Sequence, residues 1–465
     1  MVQISYGGDA VYVSKKLMAV LLLLATIGST VAGCSSSSDS EIDRNDMVSI
    51  DLEDDSEEDT SWPTYETPEC GDAQFDERTG LRRLPYLQDA QPTSVRVVWT
   101  VTDEDEWTLE YTADPDGDWN SVTPSEEFFP TSRTEDPVEY TAMEAQLEGL
   151  DAGRTYCYRV LDGEEVVASG LSFTTAWKDE SRPVRILAFG DSGNGSDEQK
   201  QVRDEFMNHE YDIFLHLGDM AYGSGTFVEF EERMFEVYEQ FLHGTVAWPT
   251  MGNHEFKTDG GQPYLDVYYL PEQAMQERDN ERYYSFDYGN IHFVSLDSND
   301  FILGLIFADR LVPEGSKNEV DMIDWLRADL AASDADWKIV FFHHPPYTSS
   351  VSRDPSGLVR AVIMPELEAA GVDLVLSGHD HFYERSKPIW QDAVAAGDDD
   401  AITYIVAGFG GTGMTETVDG NWHTAAKHDD MQGFVDMTVD GCTATGTVVT
   451  RDGNTVDSFE LNGCD

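Results

Sequence analysis

Five short stretches carry side chains able to bind metal ions or move protons, and each follows an apolar run. Ile213-Phe214-Leu215-His216-Leu217 leads into Gly218-Asp219-Met220-Ala221-Tyr222. The apolar run reads as a buried parallel strand, and glycine then lets the backbone turn. Asp219 therefore emerges at the carboxyl end of a strand, where open α/β sheets collect ligands. Tyr222 follows three residues later, close enough for both oxygens to face one centre. The same grammar recurs. Val184–Phe189 leads to Gly190-Asp191-Ser192-Gly193, and Trp248-Pro249-Thr250-Met251 to Gly252-Asn253-His254-Glu255. Ile339-Val340-Phe341-Phe342 leads to His343-His344, and Leu374-Val375-Leu376-Ser377 to Gly378-His379-Asp380-His381.

Singly, each stretch has a plain structural reading: a capped turn, or an aromatic ring packed at a strand end. Their recurrence in order, each at a strand end, argues for one shared centre. His379 and His381 are the sharpest signal. Residues i and i+2 of an extended segment line one face, so the two histidines can reach one centre, one for each of two adjacent ions. Carboxylate and phenol oxygens, such as those of Asp191, Asp219 and Tyr222, are hard donors suited to a highly charged ion such as Fe3+, whereas mixed nitrogen and oxygen donors suit Zn2+, Fe2+ or Mn2+.

Together these blocks resemble the five motifs of the metallophosphoesterases. The tyrosine three residues after the second aspartate narrows the resemblance to the purple acid phosphatases. Pro85-Tyr86-Leu87-Gln88, Tyr284-Ser285-Phe286-Asp287-Tyr288-Gly289 and Phe382-Tyr383-Glu384-Arg385 also look like that family. The resemblance implies a four-layer α/β/β/α catalytic domain with a dinuclear centre. Asp191, Tyr222 and His381 would bind the first metal, Asn253, His343 and His379 the second, and Asp219 would bridge them. His254 would contact phosphate or protonate the leaving alcohol. His344 becomes a candidate substrate contact, and Asp380 is assigned no catalytic part. The implied activity is that of an exported acid phosphatase hydrolysing phosphomonoesters through Fe3+ paired with a divalent ion. A phosphodiesterase or nucleotidase of the same superfamily is the alternative, and a non-catalytic metal-binding surface protein is less favoured.

These residues need a scaffold. Over residues 179–465 strands alternate with helical stretches, such as that around Gln199 to Met207, which implies a layered α/β domain. Residues 69–178 are all strand in pattern. Val95, Val97, Trp99 and Val101 alternate on one face. Tyr156 enters a strand after the corner Gly149-Leu150-Asp151-Ala152-Gly153, which resembles the tyrosine corner of Greek-key sandwiches. A fibronectin type III-like sandwich is expected there, with a structural job: packing on the next domain or shaping one wall of a site.

The amino end reads as an export signal. Lys15-Lys16 precede an apolar stretch that ends in Val31-Ala32-Gly33-Cys34. The stretch is short for a membrane span, and its flanks suit a signal peptide better than a short anchor. The small-small-cysteine ending resembles the bacterial lipoprotein box. Residues 1–34 are thus expected to be a lipoprotein-type signal, with Cys34 the lipid-bearing terminus in the cell envelope or at the cell surface. Residues 35–68, serine-rich and acidic, are expected to be a disordered tether. Cys70, Cys157, Cys442 and Cys464 suit two disulfides. Three pairings are open to them. Cys442 and Cys464 bracket a strand-turn-strand pattern around Asp452-Gly453-Asn454 and are the preferred pair, which leaves Cys70 with Cys157.

Charge narrows the partners. The 465 residues carry 90 acidic and 29 basic side chains, a net −61. A phosphate backbone needs a basic face, so nucleic acid is not an expected partner. The expected partners are a small phosphate ester and, through the lipid anchor only, a membrane. The acidity reads as a solvated coat, screened by salt. His209, His216, His243 and His292 fall in helix-like or strand patterns and read as packed side chains. His423, after Gly408-Phe409-Gly410-Gly411, is a candidate for the border of the cleft.

Overall fold

The computed structural model describes residues 2–6, 9–13, 65–76, 80–103, 106–178, 182–299, 318–353, 355–395 and 401–463. The expected lipidation site Cys34, most of the signal segment and the tether lie outside the described residues. So does Cys464, and with it the pairing with Cys442. Val2–Tyr6 and Asp9–Val13 pair as an antiparallel hairpin within a unit of their own, residues 1–61. No helix among the described residues is long and apolar enough to cross a membrane.

Residues 74–174 form two antiparallel sheets. One runs Leu81–Gln91, Ser94–Val101, Tyr140–Glu148, Ser125–Phe129 in spatial order. The other contains Glu165–Thr174, Thr155–Asp162 and Trp107–Thr112, flanked by two short edge strands. Val95, Val97, Trp99, Val101, Leu109, Tyr158 and Phe173 are buried in one core, as inward-facing positions of a sandwich must be. The backbone N–H of Asp151 donates to the Tyr156 hydroxyl at 2.9 Å, the bond that defines a tyrosine corner. Cys70 and Cys157 are joined by a disulfide.

The sandwich packs on the following layers. The Tyr158 hydroxyl donates to the His243 carbonyl at 2.7 Å, and that of Tyr86 to the Val267 carbonyl at 2.8 Å. Buried Arg83 reaches Glu231 at 2.7 Å across the same junction. None of these residues belongs to the five chemical stretches, so the sandwich acts here as a structural partner.

The layers after residue 182 are two mixed sheets. In the first, Val184–Phe189, Ile213–His216 and Val246–Pro249 run parallel, and three C-terminal strands continue the sheet antiparallel. In the second, Ile291–Ser295, Trp337–Phe342, Leu374–Ser377 and Thr403–Ala407 run parallel. The sheets pack face to face: Trp248 of the first stacks on Phe286 of the second with ring centroids 3.7 Å apart. Period two sorts the faces. Trp337, Ile339 and Phe341 join the core between the sheets. Val340 and Phe342 join a second core with Met322 and Leu326 of helix Asn318–Ala332. On the other flank, Phe206 of helix Asp197–Phe206 packs on Phe189 at 5.8 Å. Strands covered on both faces read as unbroken apolar runs, which is why the five stretches stood out.

Candidate metal centre

Every expected ligand sits just past the carboxyl end of a parallel strand or on the turn that follows it. Glycine lets these turns approach one another. A Cβ on Gly252 would lie 2.2 Å from the Asp219 nitrogen, and one on Gly218, 2.6 Å from His343 Nδ1. Both clashes forbid a side chain. Asp191, Asp219 and His379 adopt φ of 57°, 56° and 70°. For non-glycine residues that region costs roughly 1–2 kcal/mol each, and strain of this kind concentrates at functional sites.

The side chains converge in two groups. Tyr222 Oη lies 2.8 Å from Asp191 Oδ1 and 3.2 Å from His381 Nε2, which is itself 3.3 Å from Asp191 Oδ1. Asn253 Oδ1 lies 3.2 Å from His343 Nε2 and 2.9 Å from His379 Nδ1, and the two ring nitrogens are 3.3 Å apart. Asp219 Oδ2 approaches His343 Nε2 at 3.4 Å. Asp191, Asp219 and His343 bring one ligand atom each to within 4.8 Å of one another. Atoms about 2.0–2.1 Å from one ion lie roughly 2.8–3.4 Å apart along octahedral or tetrahedral edges. Both groups fit that spacing.

The rings are oriented for ligation. His343 Nδ1 donates to the Leu217 carbonyl at 2.8 Å, and His381 Nδ1 to the Gly413 carbonyl at 2.9 Å. A carbonyl only accepts, so each Nε2 is left to face the centre, as backbone partners do for metal-bound histidines. Burial pushes the His343 pKa down, but Asp219 outweighs it and lifts it to about 9. Burial likewise pushes Asp219 up, and His343 overrides it, holding that carboxyl well below its usual range. The site calls for positive charge between these groups, which a proton or a metal ion supplies. Burial and the neighbouring Asp191 raise the Tyr222 phenol far above its ordinary value. Only a strong cation would remove that proton.

The backbone around His379 differs from the extended segment expected. His379 is left-handed and the chain bends through residues 379–382. Its ring meets Asn253, and that of His381 meets Tyr222, because of this bend; an extended segment would have set both rings on one face.

Other candidates take distinct places. The His254 ring lies 4.2 Å from that of Tyr222, with Nε2 3.9 Å from Asp219 Oδ2. Its Nδ1 donates to the Gly223 carbonyl at 2.9 Å, which Lys257 Nζ also reaches at 3.1 Å. His344 is buried; its Nδ1 is 2.8 Å from Ser298 Oγ and its ring packs 4.5 Å from His379. Burial, reinforced by His343, pushes its pKa far down, which makes it a neutral ring. His216 is buried against Phe189 and bonded to Ser192. His423 is buried between Trp422 and Tyr347, 3.4 Å from Glu384. His292 is no plain packed ring: Asp287 and Asp329 hold its two nitrogens at 2.7 and 2.9 Å.

Glu255 was not singled out by sequence reasoning. Its carboxylate is fully buried and accepts the backbone N–H groups of Asp219, Met220, Ala221 and Gly252 at 2.7–3.0 Å. It ties the Asp219 turn to the Asn253 turn. Burial and Asp219 push its pKa up to about 7, yet four donors and no acceptor around it fit only the anion. An acidic residue directly after Asn253-His254 was the available signal.

Known proteins match this arrangement. Residues 184–383 match the calcineurin-like phosphoesterase family, and residues 85–175 the purple acid phosphatase N-terminal domain. The chain thus joins a purple acid phosphatase N-terminal domain to a calcineurin-like phosphoesterase domain. It is 30% identical over 251 residues to purple acid phosphatase 18 of Arabidopsis thaliana, covering 52% of each chain. It is 28% identical over 242 residues to purple acid phosphatase 21 of the same plant, covering 49% of this chain and 50% of that one. The chain thus spans about half the length of these curated relatives. The fold is similar to that of purple acid phosphatase PPD1 from yellow lupin (Lupinus luteus) seeds. The TM-score is 0.69 at 19% identity, over 83% of this chain and 75% of that one. The purple acid phosphatase family is metal-dependent, and the cluster described above is where this member can hold metal.

Proposed function

We propose that this chain is an exported acid phosphatase that hydrolyses phosphomonoesters with two metal ions. Asp191, Tyr222 and His381 hold Fe3+; Asn253, His343 and His379 hold Zn2+, Fe2+ or Mn2+; Asp219 is shared. The observation that carries the reading is the phenol oxygen of Tyr222 within 2.8 Å of Asp191 and 3.2 Å of His381. A phenol among carboxylates suits a trivalent ion. When bound, the metal pair supplies Lewis acidity, lowering the pKa of water and offsetting phosphate charge. The surrounding residues supply position and protons. His254, partly open to solvent and with Nε2 3.2 Å from Lys257 Nζ, is the group that protonates the leaving alcohol. His344, whose ring packs on that of His379, serves as a substrate contact. Glu255 fixes the two turns that present Asp219 and Asn253.

Export through a lipid anchor on Cys34 is part of the same proposal. The Cys70–Cys157 disulfide supports it, since disulfides persist in oxidising compartments.

The test is the purified full chain loaded with iron and zinc. Two ions per chain, a visible absorption band, and faster hydrolysis of an aryl phosphomonoester than of its matching diester are expected. A faster diester reaction would make it a phosphodiesterase. Bound metal without hydrolysis of either ester would make it a metal-binding surface protein.

A further inference from the structure

Arg353 stands beside the centre without a proper partner. It lies on the loop after His344-Pro345-Pro346, where its backbone N–H donates to Ser350 Oγ at 3.2 Å. Its Nη1 is 3.6 Å from Oδ1 of Asp380, the residue between His379 and His381. Both atoms are buried, and neither has a hydrogen-bond partner among the described residues. The second oxygen of Asp380 is taken by the Thr348 hydroxyl.

A guanidinium paired for structure closes on its carboxylate at about 2.7–2.9 Å. Several pairs in this chain do so, although Arg96–Asp89 and Arg278–Asp279 also stand at 3.6 Å. Arg83 meets Glu231 at 2.7 Å, Arg385 meets Asp457 at 2.8 Å and Arg185 meets Asp212 at 2.9 Å. The Arg353–Asp380 pair stays open. Asp380 holds the cation by charge and leaves its donors unspent. Nη1 is buried, but the Arg353 side chain as a whole is one-third exposed, so an incoming anion can approach it. Its charge also acts on His379, His381 and His344, which places it within electrostatic reach of both ligand groups.

We infer that Arg353 is a substrate-binding residue whose guanidinium takes non-bridging phosphate oxygens and favours doubly charged monoesters over diesters. Arginine suits this role because it is always charged and presents five donors in a planar fork. A monoester offers one more non-bridging oxygen and one more negative charge than a diester, so it gains more from the contact. In a chain of net charge −61, a cation at the mouth also offsets the repulsion that an anionic ester meets. Asp380 becomes a positioning residue, a role the sequence did not assign it. The inference rests on the hydrolase proposed above.

The experiment compares the metal-loaded full chain with Arg353→Ala and Arg353→Lys. Three quantities are read: metal content, the affinity for inorganic phosphate by calorimetry, and kcat/KM for an aryl monoester and its diester. Arg353→Ala should keep both metals, bind phosphate about 10- to 100-fold more weakly, and lose monoester kcat/KM by a similar factor. Its diester rate should fall by less than about threefold, and Arg353→Lys should recover part of the phosphate affinity. Phosphate affinity within about twofold of the parent, or loss of metal alongside the affinity, overturns the assignment. If the parent hydrolyses neither ester and does not bind phosphate, the hydrolase reading falls and this assignment with it. A normal parent with an unchanged variant removes the assignment alone.

Discussion

The phenol oxygen of Tyr222 meets the carboxylate of Asp191 at 2.8 Å although they leave different strands of the first sheet. That contact makes the first ligand group a hard-oxygen site. Tyr222→Phe should abolish the visible band of the iron-loaded protein. The metal-free protein should lose only about 1 kcal/mol, the net worth of one hydrogen bond. Absorption spectra and denaturant midpoints of the two forms check this; a retained band would remove tyrosine from the iron.

Glu255 accepts four backbone N–H groups from two turns. Glu255→Gln replaces an acceptor by a donor that faces other donors. The expected loss is roughly 2–3 kcal/mol of stability, the scale of a charge-assisted bond, with weaker metal retention during dialysis. Thermal unfolding and metal analysis measure both. Unchanged values would mean that the ligand turns hold themselves.

The His254 ring lies against Tyr222, where its hydrogen-bond partners are the Gly223 carbonyl and Lys257. His254→Ala should therefore keep two metals and an intact band. Turnover should fall about 10²- to 10⁴-fold, as for loss of a general acid. The loss should shrink for an ester whose leaving group needs no proton. Equal loss for good and poor leaving groups would contradict the assigned role.

His292 gives a pH dependence away from the centre. Burial pushes its pKa down, but the hydrogen bonds it donates to Asp287 and Asp329 overcome this and lift it to about 9. The unfolded ring titrates near 6.5. A pKa raised on folding stabilises fully below the unfolded value and is lost as pH rises through the folded one. The stabilisation should fade between about pH 6.5 and pH 9. Discounting for the exposure of Asp287, it is on the order of 1–2 kcal/mol. Denaturant midpoints across that range should slope for the parent and flatten for His292→Gln; equal slopes would refute the charged pair.

Much of the centre was legible before any coordinates. Apolar runs, a breaking glycine and a polar donor are local signals, and strands buried on both faces make the runs unbroken. Asp191, Asp219, Tyr222, Asn253, His343, His379 and His381 were therefore named in order, as were the tyrosine corner at Tyr156 and the Cys70–Cys157 pair. His292 was misread because its two carboxylates come from different elements, Asp287 on the neighbouring strand and Asp329 on a helix.

The residue types alone settled which atoms could ligate metal, since donor chemistry belongs to the side chain. The family resemblance implied how those donors divide, and only the tertiary structure gave the physical reason: the left-handed turn at His379 sends it and His381 to different neighbours. The anchoring by Glu255 and the open guanidinium of Arg353 belong to the same class. Each depends on how closely loops from distant strands approach, a distance that no local pattern encodes.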